Sequence, residues 1–237
     1  MVCSWSSSEY RPREDRSRVT IEALVFDFDG LILDTEGPVF TAWREEFEAH
    51  GCPPLTIEEW AAEIGTTGGL DLVALIRARA TRPFDEDAMH ARRRVRRDEL
   101  LTRETTRPGV HQWLDDADAL GLALAIASSS PLEWVESHLE RLGLRHRFAF
   151  LACYGDGIAG KPEPDSYLAA CAAIGVDPGA ALAIEDSPHG VAAAKAAGLW
   201  CVAVPHEITE GLDLSRADLR LRSLADTTLR EVLDRFD

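Results

Sequence analysis

Positive charge is scarce in this sequence. Its 25 Lys and Arg stand against 41 Asp and Glu, a formal net charge of −16 over 237 residues. A field of that sign repels nucleic-acid phosphates and anionic lipid headgroups, so neither nucleic acid nor a membrane is an expected partner. Cysteine is sparse as well. The five (Cys3, Cys52, Cys153, Cys171 and Cys201) are odd in number, scattered and without a CxxC pair. That argues against a disulfide framework and a cysteine zinc site, and points to a reducing, cytoplasmic setting. No apolar run approaches the roughly 18 residues that a membrane span needs. The opening stretch, MVCSWSSSEYRPREDRSRVT, lacks the apolar centre of a secretory signal and reads as a flexible tail over residues 1–20. The composition, 46% hydrophobic and 28% charged, is that of a globular chain, and the length suits one medium domain with a smaller insert.

Apolar runs of strand length recur at residues 22–28 (EALVFDF), 121–127 (GLALAIA), 148–154 (FAFLACY), 180–184 (AALAI) and 199–204 (LWCVAV). Helical patterns fall at 110–119, 131–142, 164–174 and 188–197, with a last one at 226–235. Strands alternating with helices of that length predict a doubly wound α/β fold, a parallel sheet with helices on both faces. The alternation fails over residues 36–105. There Trp43 and Phe47 stand four apart, Leu72, Leu75 and Ile76 share a helical face, and residues 85–103 are long and charged. A wholly helical stretch directly after the first strand cannot lie within the sheet. The expected organisation is therefore a core of residues 21–35 and 106–237, carrying a helical cap of residues 36–105 hinged at 33–36 and 105–108.

Acidic pairs end two of these strands. In Val25-Phe26-Asp27-Phe28-Asp29, strand alternation puts Asp27 and Asp29 on one face at the carboxyl end, where open α/β sheets bind ligands. Glu185 and Asp186 end the run at 180–184 in the same way. Each pair alone has an ordinary explanation in turn or capping chemistry. Four carboxylates at one sheet edge repel one another and call for a cation, and an all-oxygen donor set favours Mg²⁺. A third strand ends in Ser128-Ser129-Ser130 before Pro131, which is either a helix cap or a cradle for phosphate. Lys161 sits in Gly160-Lys161-Pro162-Glu163-Pro164, where two prolines stiffen the loop that carries it.

The strings DFDGLILDTE (27–36), IASSS (126–130), GKPEPDSY (160–167) and IEDSPHG (184–190), in that order and spacing, resemble the four motifs of the haloacid dehalogenase superfamily. The nearest branch is that of small sugar-phosphate phosphatases and β-phosphoglucomutase-like proteins, and the likeness covers about residues 21–229. It implies a sheet order of 3-2-1-4-5 and a type I helical cap. It also implies a phosphohydrolase acting on a small phosphorylated metabolite. Asp27 matches the nucleophile that forms an aspartyl-phosphate, and Asp29 the general acid and base. Ser128, Ser129 and Lys161 match the phosphate-binding groups; Asp27, the backbone carbonyl of Asp29, and Asp186 match the Mg²⁺ site, with Glu185 a ligand or a supporting partner.

Within the superfamily, Asp29 argues against a dehalogenase or an ion pump. A phosphosugar mutase is the first alternative. The loop expected to select substrate, residues 64–69 (IGTTGG) with Thr66, Thr67 and Gly68, carries no charge, which favours a phosphatase. A non-catalytic module with a phosphorylatable Asp is the second alternative, although it would need neither this length nor a helical insert. The run Arg92, Arg93, Arg94, Arg96 and Arg97 reads as a solvated cap helix with one arginine turned toward the substrate. His189 reads as a helix-start residue, His206 as a residue at the site rim, and Cys153 and Cys201 as core. The sequence does not specify an oligomeric state and is compatible with a monomer.

Overall fold

A computed structural model describes residues 20–61, 71–83 and 85–236. Strands β1 (Ala23–Phe26), β2 (Ala123–Pro131), β3 (Phe150–Tyr154), β4 (Ala181–Glu185), β5 (Trp200–Ala203) and β6 (Leu219–Arg220) form one sheet in the order β3-β2-β1-β4-β5-β6. All of its strand pairings are parallel. The five expected strands hold the implied order. The two-residue edge strand β6 was not expected, since so short a piece leaves no periodicity to read.

Register and composition together give the sheet two unlike faces. Ala23 is aligned with Ala123 and Ala181, Leu24 with Leu124 and Leu182, and Phe26 with Ile126 and Ile184. Because side chains alternate along a strand, Leu24, Phe26, Leu124, Ile126, Leu182 and Ile184 all enter one core layer. Ala23, Val25, Ala125, Ala127, Ala181 and Ala183 enter the other. The large-residue face is covered by α5 (Val110–Leu120), α6 (Leu132–Arg141) and α9 (Leu229–Leu233). The alanine-rich face receives α7 (Asp165–Ile174) and α8 (Pro188–Ala196) through Tyr167 and Val191 and the small residues Ala170, Cys171, Ala193 and Ala194.

The helices α1 (Glu36–Ala49), α2 (Ile57–Ala61), α3 (Leu72–Arg79) and α4 (Glu86–Leu101) come between β1 and α5. They have an apolar cluster of their own, in which Phe40, Trp43, Phe47, Leu72, Ile76 and Met89 are buried. Ile208, from the loop after β5, is buried in the same cluster.

Several boundaries shift by a residue or two, with β1 ending at Phe26 rather than at residue 28, and two shift further for local reasons. β2 continues through the serines to Pro131, with a register irregularity between Ser128 and Pro131, so that α6 begins at Leu132. The last helix is shorter than the pattern at 226–235. Residues 224–226 form a 3₁₀ turn, and Thr228 and Glu231 make a reciprocal capping box that starts α9 at Leu229.

Trp113 of α5 is fully buried in the large-residue layer, and its indole N–H donates to the Leu224 (2.9 Å) and Thr227 (3.2 Å) carbonyls, tying the C-terminal segment to the sheet. Trp113→Ala removes that volume and orphans both carbonyls. It should cost about 3–5 kcal/mol in a denaturant titration.

Candidate active site

The site is built where β1 stops. Asp27 N–H makes the last rung of the ladder, to the Ile184 carbonyl at 2.9 Å, and the chain then turns back on itself. Ile32 and Leu33 N–H groups both donate to the Phe28 carbonyl (3.0 and 3.3 Å), and Gly30 takes φ +79°. A side chain at Gly30 would collide with the Asp186 carboxylate and the His206 ring, so the turn can press against the end of β4 only with glycine there. Arg107 clamps the same turn, donating to the Gly30 (2.5 Å) and Pro205 (3.2 Å) carbonyls.

Lys161, on the loop between β3 and α7, is 4% exposed, and its ammonium donates to Asp27 Oδ1 and to Glu185 Oε1 (2.6 Å). Tyr167 of α7 donates its hydroxyl to the same Glu185 oxygen at 2.5 Å. Glu185 Oε2 accepts from Asp186 N–H (3.1 Å) and the Ser187 hydroxyl (3.4 Å). Both Glu185 oxygens are thus engaged by protein donors. Ser187 also caps α8 by accepting Gly190 N–H at 3.2 Å, which leaves Asp186 free of the capping duty that either residue could have served.

Asp27, Glu185 and Asp186 are all buried, and each can present a ligand oxygen within 4.8 Å of the others'. Burial pushes the Asp27 carboxyl well above the usual carboxylate range, with Glu185, Asp186 and Asp29 adding to the rise and Lys161 opposing it. Burial alone would lower the Lys161 ammonium, but Asp27 and Glu185 outweigh it and hold the group as a cation. One ammonium among three carboxylates leaves the nest short of positive charge. A hard divalent cation fits that deficit and that all-oxygen donor set.

Asp29 lines the same cleft, of about 570 Å³, as Asp27, but has other partners. Its Oδ2 accepts from the hydroxyls of Ser130 (2.7 Å) and Ser128 (3.4 Å), and its Oδ1 from the Trp134 indole N–H (2.9 Å). Ser129 and Ser130 face the cleft. Ser128 is 1% exposed and lies behind them, its oxygen accepting Ser130 N–H at 3.0 Å. The Ser129 hydroxyl accepts Lys161 N–H at 3.0 Å and so fixes the lysine loop to the end of β2.

A family model of haloacid dehalogenase-like hydrolases matches residues 21–198. This chain belongs to that family. It is 39% identical over 217 residues to "Putative phosphatase YhcW" of Bacillus subtilis, covering 92% of this chain and 98% of that one. It is 32% identical to hexitol phosphatase B of Escherichia coli, over 90% of this chain and 97% of the relative. The crystal structure of CbbY from Rhodobacter sphaeroides in complex with phosphate superposes with a TM-score of 0.71, at 33% identity, covering 91% of this chain and all of that one.

Of the residues named from the four motifs, Asp27, Asp29, Ser129, Lys161 and Asp186 line one cleft, whereas Ser128 and Glu185 do not line it. Thr66, Thr67 and Gly68 lie outside the described residues. Of the arginine run, Arg92 and Arg96 pair with Glu46 and Glu45 of α1 (both 2.9 Å) and Arg93 stacks over Trp43, while Arg97 lines the cleft. His206 is more than a rim residue. Its side chain is 8% exposed, with Nε2 3.1 Å from Asp186 Oδ2 though off the line of a hydrogen bond, and it lies against the Gly30 turn. Cys153 and Cys201 are buried core residues, and burial pushes the Cys153 thiol up to about 12. No described helix is long and apolar enough to cross a membrane.

The sequence reading had not singled out Trp134, Tyr167 or Glu36 as site residues. Tyr167 and Glu36 are the last letters of two of the motif strings, so a signal was present; Trp134 follows the serines with none. Glu36 opens α1, lines the cleft and accepts the Trp60 indole N–H at 3.2 Å. Burial, with Asp29 and Asp186 nearby, raises its carboxyl from 4.5 to about 7. The folded chain therefore holds the Glu36 proton more tightly than the unfolded chain does, and ionising it costs stability progressively as pH rises from about 4.5 through 7. In metal-free buffer, Glu36→Gln should raise Tm at about pH 8, and the gain should shrink toward about pH 5.

Proposed function

We propose that this hydrolase is a Mg²⁺-dependent phosphatase that removes phosphate from a small phosphomonoester, a sugar or polyol phosphate, through an aspartyl-phosphate on Asp27. The observation that carries the reading is the buried Asp27 carboxylate, fixed by Lys161 beside Glu185 and Asp186 at the edge of a cleft. The substrate class is supported by the similarity to hexitol phosphatase B. The four described cysteines are free thiols, in keeping with a cytoplasmic enzyme.

In this reading an Asp27 oxygen attacks phosphorus while the ester P–O bond breaks, and Asp29 gives its proton to the departing oxygen. Water then attacks the phosphoryl group, Asp29 takes a proton from it, and Asp27 is regenerated with release of inorganic phosphate. Lys161 and Ser129, at the end of β2, bind the phosphoryl oxygens. Asp27, Asp186 and the backbone carbonyl of Asp29 would hold Mg²⁺, while Glu185 holds Lys161 in place. Bound there, Mg²⁺ supplies the positive charge that lets a phosphate dianion approach an anionic carboxylate. Residues 36–105 would serve as a cap over the cleft, with Thr66, Thr67 and Gly68 selecting the leaving group and the closed form excluding bulk water.

Incubation with Mg²⁺ and a panel of sugar and polyol phosphates should release inorganic phosphate. An isomerised sugar phosphate without phosphate release would instead identify a mutase, and a stable phosphoenzyme without turnover a phospho-acceptor module. Asp27→Asn should abolish turnover and the acid-stable phosphoenzyme trapped by a rapid quench. Chelation with EDTA should remove activity and weaken substrate binding measured by calorimetry, with Mg²⁺ restoring both.

A further inference from the structure

Each oxygen of the Asp29 carboxylate is held by the protein. Ser130 and Ser128 hydroxyls take Oδ2, at the irregular end of β2, and Oδ1 takes a single donor, the Trp134 indole N–H at 2.9 Å. Trp134 lies on the first turn of α6, after the serines. A short carboxylate side chain on a turn is free to rotate, and donors on both oxygens fix the plane in which it faces the cleft. The ring that carries the donor is itself held on two sides. His138, one turn further along α6, meets it edge-on with centroids 4.5 Å apart, and the Arg97 guanidinium of α4 lies 5.2 Å from its centroid. Arg97 also lines the cleft. A continuous chain of contacts therefore runs from α4 through Arg97 and Trp134 to Asp29.

We propose that Trp134 is a positioning residue for Asp29. Its indole N–H sets the direction in which the acid–base carboxylate meets the leaving oxygen, and the stacked Arg97 ties that direction to the position of α4. The proposal rests on Asp29 being the general acid of the reaction above. In the step concerned, the bond from Asp27 to phosphorus forms, the ester P–O bond breaks, and the Asp29 proton passes to the leaving oxygen, which departs as an alcohol. An aliphatic alkoxide needs that proton, whereas p-nitrophenolate leaves well without it. A misdirected Asp29 should therefore slow the first kind of substrate and spare the second, a selectivity that a general loss of structure would not produce.

Trp134→Phe keeps an aromatic ring for Arg97 and deletes the N–H. Trp134→His restores a donor, since imidazole Nε2 occupies the place in the five-membered ring that Nε1 has in indole. The readout is kcat/KM, which for a double displacement reports the phosphorylation half-reaction, with glycerol 3-phosphate and p-nitrophenyl phosphate as probes. Trp134→Phe should lose about tenfold or more on glycerol 3-phosphate and stay within about twofold on p-nitrophenyl phosphate, and Trp134→His should recover most of the loss. Equal losses on both substrates, no loss in a folded Trp134→Phe protein, or a His variant as slow as the Phe variant would overturn the proposal. Should Trp134→Phe fail to fold, Arg97→Gln carries the test. It should show the same selectivity at about threefold, beyond any loss common to both substrates from removing a cleft cation, and an Arg97→Gln protein with no leaving-group selectivity counts against the proposal. Asp29→Asn separates the two levels. A selective loss in Asp29→Asn with none in Trp134→Phe removes only the positioning role, whereas an Asp29→Asn protein without leaving-group selectivity removes the acid assignment and the proposal with it.

Discussion

The Lys161 ammonium between Asp27 and Glu185 is the contact on which the rest of the site depends. A buried cation or a buried carboxylate alone would be costly, and the pair is tolerable only because the remaining lone pairs find donors. Tyr167, Ser187 and the Asp186 backbone N–H supply them around Glu185. The surrounding backbone has adapted to this nest. A side chain at Gly190 would strike the Glu185 carboxylate, and one at Gly30 would strike Asp186, so α8 and the turn after β1 reach their positions only through glycine. Electrostatics at one sheet edge thus sets the packing of two neighbouring elements.

The sheet delivers these groups to that edge because its strands are parallel. The carboxyl ends of β1, β2 and β4 lie side by side, so residues distant in the chain (Asp27, Ser129 and Asp186) enter one cleft without any long-range loop. The alanine-rich face of the sheet contributes in a second way. Small strand residues beneath α7 and α8 let those helices sit close, which brings Tyr167 and the capped start of α8 to the Glu185 carboxylate. Packing on one face and charge on one edge are in this sense a single constraint.

The helices between β1 and α5 are joined to the rest at few but specific points. Ile208, from the loop that also carries His206 to Asp186, is buried in their apolar cluster. Glu36 starts α1 at the cleft, and Arg97 reaches it from α4. A net charge of −16 gives an anionic substrate no help at long range. Local cations therefore matter more than the global field, and Lys161 and Arg97 are the two that line the cleft among the described residues.

The sequence by itself determined the alternation of strands and helices, the helical interruption after the first strand and the acidic residues at strand ends. These are short-range patterns, written in periodicity and in motifs whose letters are neighbours. Trp134 on Asp29, Arg97 on Trp134 and His206 beside Asp186 were decided only by the tertiary structure. Each joins residues far apart in the chain, and no local pattern records which of several arginines or histidines will be turned inward. The same holds for Ser128, whose place behind Ser129 and Ser130 depends on β2 running on past the point where its apolar run ends. Local propensity chooses the elements; which side chains face each other across them depends on the register and packing of the whole sheet.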